Sequence, residues 1–142
     1  MIYAVIDTNV IVSALIAAHD DSPPVQIVKK LFSGDITPLY SRAIMDEYYR
    51  VLRREKFSFS KTVIGTMLGA IEQHGLLIES SPTDVILLDM KDLPFYEVAL
   101  GKPGDNSYLV TGNLKHFPSE GFIVTPRQML DIFKQLCFYN NK

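Results

Sequence analysis

The chain has one cysteine, Cys137, among 142 residues. That excludes an internal disulfide framework and a zinc site built on thiolates. It has no apolar stretch approaching 18 residues, which excludes a transmembrane helix. It has no excess of positive charge: 14 Lys and Arg stand against 16 Asp and Glu, for a formal net charge of −2 and a pI near 5.9. Proteins that coat nucleic acid tightly and non-specifically need a broad basic footprint, so that class is excluded. An enzyme that reaches phosphates through metal ions and a local patch does not need one. The basic residues that do cluster, Arg50, Arg53, Arg54 and Lys56, read first as the solvated face of a helix. The N-terminus lacks a basic n-region and opens directly on a strand pattern, so no secretory signal is expected. These absences together predict a cytoplasmic location. There is no internal repeat or low-complexity tract. With 47% hydrophobic residues, the chain is sized for one domain, 1–142, with a single sizeable core.

What is present is an alternation of strand-like and helix-like segments. An apolar run at 2–6 predicts a buried strand, since strands covered on both faces read as continuous apolar runs rather than alternating ones. A helix near 9–17 follows. The loop His19–Pro24 leads into a helix that Pro23 or Pro24 opens and Ser33-Gly34-Asp35 closes. Thr37–Tyr40 reads as a strand. Ser41 caps a helix to about Arg54, and Ser60 starts another to about Gln73, with Gly75 as its stop. Leu76–Ile78 is a third strand. Val85–Asp89 fits either a short strand or an extended segment. Pro94–Leu100 is a helix, Ser107–Thr111 a buried strand and Phe122–Val124 a final short strand. Thr125-Pro126, N-cap then Pro at the first helical position, opens a helix to about Phe138. Strands alternating with helices predict an α/β fold, a central parallel sheet of about four to five strands with helices on both faces.

Four polar positions stand out against that frame. Asp7 ends the first strand, at the sheet edge where open α/β folds gather ligands; the alternative is that it only caps the next helix. Glu47 lies on a helix whose Ile44, Tyr48, Val51 and Leu52 share one apolar face at 100° per residue. Asp46 projects almost opposite that face, whereas Glu47 flanks it, where a carboxylate is costly unless paired or metal-bound. Its alternative is a surface pair with Arg50 or Arg54. Asp92 precedes the Pro94 helix, either as a site residue or as an ordinary N-cap, with Asp89 a competing carboxylate. Asn113 follows the apolar strand end Tyr108–Val110 within Thr111-Gly112-Asn113, which otherwise makes only a tight turn. Carboxylates gathered at one end of a sheet stay ionised together only when cations neutralise them. Hard oxygen donors of this kind suit Mg²⁺ or Mn²⁺, and the chemistry that follows most directly is metal-assisted hydrolysis of a phosphodiester.

Taken in order, Asp7-Thr8-Asn9-Val10, Glu47 within Asp46-Glu47-Tyr48-Tyr49-x-Val51-Leu52, Asp92 seven residues before Ala99, and Thr111-Gly112-Asn113 resemble the motifs of a PIN domain. Each motif alone is weak; the ordered set, spanning nearly the whole chain, is specific. Val110–Pro118, reading Val-Thr-Gly-Asn-Leu-Lys-His-Phe-Pro, is similar to a segment shared by PIN proteins labelled as toxin components of toxin–antitoxin systems, the VapC-like ribonucleases. The resemblance implies a three-layer fold and a Mg²⁺- or Mn²⁺-dependent ribonuclease. Asp7, Glu47 and Asp92 match the family's acidic metal residues. Asn113 stands where many members carry a fourth acid, which removes one negative charge and puts a second metal in question more than the first; Asp105 is a nearby substitute. Thr8, Asn9 and Thr111 would orient the carboxylates, and Lys115 and His116 are candidate substrate contacts, with His116 packing in a loop as the alternative. The resemblance also implies an RNA substrate, a cognate antitoxin that blocks the site, and self-association as a homodimer or higher oligomer. His19–Pro24 and the helices near 41–74 are candidate antitoxin surfaces. Tyr48, Tyr49 and the stripe Phe133, Cys137, Phe138 and Tyr139 are candidate contacts between copies, or else core.

Two other readings compete. A haloacid-dehalogenase-like phosphatase also places an Asp after its first strand, but it needs a second Asp two residues later, where this chain has Asn9. A PIN-like domain with a weakened metal site would bind RNA or a partner without cutting, and Asn113 motivates that reading.

Overall fold

The computed structural model describes residues 1–101, 104 and 106–140. Five strands form one sheet: β1 (Tyr3–Ile6), β2 (Thr37–Tyr40), β3 (Leu76–Leu77), β4 (Ser107–Val110) and β5 (Ile123–Val124). Among the described residues six α-helices accompany them: α1 (Thr8–Ile16), α2 (Pro23–Ser33), α3 (Arg42–Leu52), α4 (Lys61–His74), α5 (Leu93–Leu100) and α6 (Pro126–Asn140). Every strand pairing is parallel and the spatial order is β3-β2-β1-β4-β5. This is the α/β sheet with helices on both faces that the segment pattern predicts.

The burial of the central strands shows why their sequences are apolar without alternation. Ala4, Val5 and Ile6 of β1 are consecutive and all buried, as are Leu109 and Val110 of β4, so helices cover both faces. α5 packs against β1, β2 and β4, α4 against β2, and α6 against β4. Phe95 and Val98 of α5, Ile27 and Leu31 of α2, Met67 and Ile71 of α4, and Met129 of α6 complete the core. The sheet thins at its margins: β3 and β5 are two residues each, and both residues of β3 are exposed.

Local chemistry sets the helix ends. The Ser41 and Ser60 hydroxyls accept from the backbone N–H groups of Ile44 (3.2 Å) and Val63 (3.1 Å). At α6 the Thr125 hydroxyl accepts from the Gln128 N–H at 3.1 Å while the Gln128 carboxamide oxygen accepts from the Thr125 N–H at 2.9 Å, a reciprocal capping box. Gly34 closes α2 with φ +82, the left-handed conformation that glycine adopts without strain. Gly75 stops α4 for a different reason. Its backbone is extended, and a Cβ there would lie 2.4 Å from the Ile71 carbonyl oxygen and 2.6 Å from that of Pro38. The residue is glycine because α4 and β2 close on it.

The structure decides two alternatives that the sequence leaves open and adds one feature. Of the two readings of Val85–Asp89, the strand is not formed. Short 3₁₀ turns at Glu55–Phe57, Met90–Asp92 and Leu114–His116 were not expected, because three residues are too few to show a period. Tyr48, considered as a contact between copies, is buried, and its hydroxyl donates to the Ile6 carbonyl; it is core, as its place on the α3 apolar face requires.

Candidate active site

The chain leaves β1 toward β2 and β3 on one side, while β4 and β5 lie on the other, so β1 and β4 flank the switch point where open parallel sheets hold ligands. Ile6 pairs with Val110, which sets Asp7 beside Thr111 at the carboxyl ends of the two strands. The Asp7 N–H donates to the Val110 carbonyl at 2.9 Å, and the Thr111 hydroxyl donates to Asp7 Oδ2 at 2.7 Å. Asp7 occupies the N-cap position of α1 yet makes no side-chain cap hydrogen bond. Its carboxylate is held chiefly by Thr111 at the end of β4, with a smaller contribution from the Asn9 N–H in the first turn of α1.

Glu47 arrives from α3 and Asp92 from the 3₁₀ turn before α5. Asp46 is exposed, as the helical phase predicts, whereas the Glu47 side chain is 16% exposed. Its Oε2 accepts from the Thr8 hydroxyl, and its Oε1 lies 3.8 Å from Arg50 Nη2. Asp92 makes no cap hydrogen bond; Asp89 caps the preceding turn by accepting from the Lys91 N–H at 3.0 Å. Asp92 Oδ2 instead pairs with His116 Nδ1 at 3.0 Å, and the other ring nitrogen of His116 is 2.9 Å from the Asn113 amide nitrogen. The Asn113 N–H donates to the Thr111 hydroxyl at 3.0 Å, and the Gly112 N–H to the Asn9 carboxamide oxygen at 3.1 Å. A continuous set of hydrogen bonds thus runs from Asp7 through Thr111, Asn113 and His116 to Asp92.

These groups surround a cavity of about 350 Å³ whose lining includes Asp7, Thr8, Asn9, Glu47, Asp92 and His116. Thr111 reaches it through Asp7. Asn113 turns its amide to His116, and Lys115 is exposed in a neighbouring hollow with Leu114 and Phe117. Asp105 lies outside the described residues. Arg50 and Arg54, which the sequence reads as a solvated helix face or as partners of Glu47, line the cavity too, with Phe57 and Lys91, which it does not single out. Arg50 lies on α3 one turn after Glu47, whereas Arg54 and Phe57 lie beyond the helix end at Leu52.

The electrostatics are those of crowded carboxylates. Burial raises the Asp7 carboxyl from an ordinary 3.8 to about 6; the Thr111 hydrogen bond offsets part of this, and the negative charges of Asp92 and Glu47 add to it. Asp92 is raised too, chiefly by burial, with His116 opposing the shift through its hydrogen bond and charge and Asp89 adding to it. Tyr48, fully enclosed beside Asp7 and Glu47, is pushed well above the usual phenol range. A divalent cation would relieve all of these, and the donors are the hard oxygens that Mg²⁺ and Mn²⁺ prefer. The set fits such an ion in kind. As the side chains stand, no three His, Cys, Asp or Glu groups among the described residues are gathered to hold one ion.

No curated protein and no solved structure matches the chain. The family model described as PIN domain matches residues 3–115, a span that contains the sheet up to β4, all three carboxylates, Thr8, Asn9, Thr111 and Asn113. The chain belongs to the PIN domain family.

Proposed function

We propose that this protein is a Mg²⁺- or Mn²⁺-dependent ribonuclease that hydrolyses RNA phosphodiester bonds, and that it is the toxin of a toxin–antitoxin pair. PIN domains are typically metal-dependent nucleases. The observation that carries the reading is the buried Asp7, raised to about 6 and flanked by Glu47 and Asp92 at the β1–β4 switch point. Asp7, Glu47 and Asp92 are the residues that would hold the ion, which when bound supplies charge neutralisation at the phosphate and activation of the attacking water.

The remaining groups act on the carboxylates. Thr111 fixes one oxygen of Asp7 and Thr8 one oxygen of Glu47. Asn9 ties the α1 start to the turn after β4. His116, steadied by Asn113, holds Asp92 and lines the cavity where a phosphate would lie; Lys115, exposed nearby, is the outer candidate for RNA contact. Exposed Tyr49 and Phe138 support a surface for the antitoxin or a second copy, whereas the side chain of Tyr139 lies outside the described ones.

One observation favours a second reading. Asn113 supplies no charge and is not among the residues that line the cavity, so the domain could bind RNA without cutting it. A mixed single-stranded RNA pool separates the two. Metal-dependent cleavage that disappears in Asp7→Asn, Glu47→Gln and Asp92→Asn supports the nuclease; binding without cleavage in either metal supports the second reading. Growth arrest on induction of the wild type, relieved by Asp7→Asn, tests the toxin assignment.

A further inference from the structure

The cavity that holds the three carboxylates is also lined by basic and aromatic side chains. Arg50, Arg54, Lys91 and Phe57 belong to its lining, beside Asp89 and the three carboxylates. The Arg50 side chain is 64% exposed, and its 3.8 Å approach to Glu47 exceeds the roughly 2.7–2.9 Å of a committed charge-assisted hydrogen bond. Arg54 and Lys91 are exposed and make no ion pair among the described residues. Phe57 is half-buried and stacked on Phe59, with ring centroids 5.3 Å apart and planes inclined by 12°. The turn that carries it is closed by Ser58, a non-glycine residue at φ 55 whose N–H donates to the Glu55 carbonyl at 3.1 Å. That closure fixes where the ring stands, and the Lys56 ammonium adds charge 5.1 Å from its centroid.

Carboxylates together with basic and aromatic groups in one small cavity suit a strand with two chemistries. A phosphate beside carboxylates needs cations that are not already committed, and an aromatic face accepts any base that is not paired. We infer that Arg50 and Arg54 take the phosphate next to the cut while Phe57 stacks the base of that nucleotide, so the substrate is single-stranded RNA with an unpaired base at that position. This rests on the nuclease reading, which assigns the three carboxylates to the cleaved phosphate; duplexed bases present no free face to Phe57.

The test is binding of a short labelled single-stranded RNA in EDTA, followed by fluorescence anisotropy over a salt series and paired with cleavage of the same RNA in Mn²⁺. Each phosphate contact to a single strand contributes about 0.7 to the slope of log affinity against log salt. Arg50→Ala and Arg54→Ala should each lower the slope by about that amount. Arg53→Ala should not, because that guanidinium lies over the Tyr49 ring at 4.7 Å and outside the cavity. Phe57→Leu should weaken binding roughly 5- to 100-fold with the slope unchanged, as expected for a lost base stack, and Phe57→Tyr should restore it. A fully paired hairpin should bind wild type and Phe57→Leu alike. Unchanged affinity in Phe57→Leu, or equal slope losses in Arg53→Ala and Arg54→Ala, overturns the strand path. If the RNA binds in the expected pattern but no metal supports cleavage, the nuclease reading fails and the strand path stands. If metal- and Asp7-dependent cleavage occurs while these variants bind and cut like wild type, the strand path fails and the nuclease stands.

Discussion

Asp7→Asn should make the metal-free protein more stable at neutral pH. Asp7 is 5% exposed and its carboxyl is raised from 3.8 to about 6. Above pH 6 the folded protein carries that charge buried, at a cost of about 3 kcal/mol relative to the unfolded chain. The sign follows from proton binding. Between about pH 4 and 6 the folded state holds a proton that the unfolded state has released, so the contribution of Asp7 is fully present below pH 4 and is lost as pH rises through 6. Asn at this position is neutral at every pH and still offers an oxygen to the Thr111 hydroxyl. Urea denaturation in EDTA should therefore give wild type and Asp7→Asn similar stabilities near pH 4, with the variant ahead by about 2–3 kcal/mol at pH 7.5. Mn²⁺ at a hundredfold excess over its dissociation constant should then return about 2.7 kcal/mol to the wild type and little to the variant. A variant that is less stable than wild type at pH 7.5, or a gap that does not widen between pH 4 and 6.5, would refute the claim that the buried carboxylates are electrostatically unfavourable without a cation.

Three further outcomes follow from single contacts. Thr111→Val keeps the shape but removes the hydroxyl that lowers the Asp7 carboxyl; carboxyl NMR titration should place Asp7 higher still, and cleavage near pH 6 should fall more than at pH 8. Tyr48→Phe removes the donor to the Ile6 carbonyl and should cost about 1–2 kcal/mol in urea denaturation. Gly75→Ala forces a methyl against the Ile71 and Pro38 carbonyls, and thermal or urea unfolding should show a loss of about 1–3 kcal/mol by overpacking.

Most of the scaffold was legible because it is local. The apolar run ending at Asp7, the serine caps at 41 and 60 and the Thr125-Pro126 start all announce themselves within a few residues. The helical phase that buries Ile44, Tyr48 and Leu52 also separated the exposed Asp46 from the flanking Glu47. What was not legible depends on contacts between distant segments. Whether Asp92 caps a helix or serves the site is decided by His116, 24 residues away. Whether Gly75 is needed for its dihedral angle or its size is decided by Pro38 on the neighbouring strand. The fourth position is legible at the strand end after β4, but the pairing of the Asn113 amide with His116 depends on the Leu114–His116 turn, which is too short to leave a periodic trace.

The most direct test of the central claim is the RNA cleavage rate as a function of Mn²⁺ concentration for wild type and Asp7→Asn. The account predicts a saturable rise from no cleavage in EDTA for the wild type and none at any concentration for the variant. Cleavage by wild type in EDTA, or undiminished cleavage by Asp7→Asn, would contradict it.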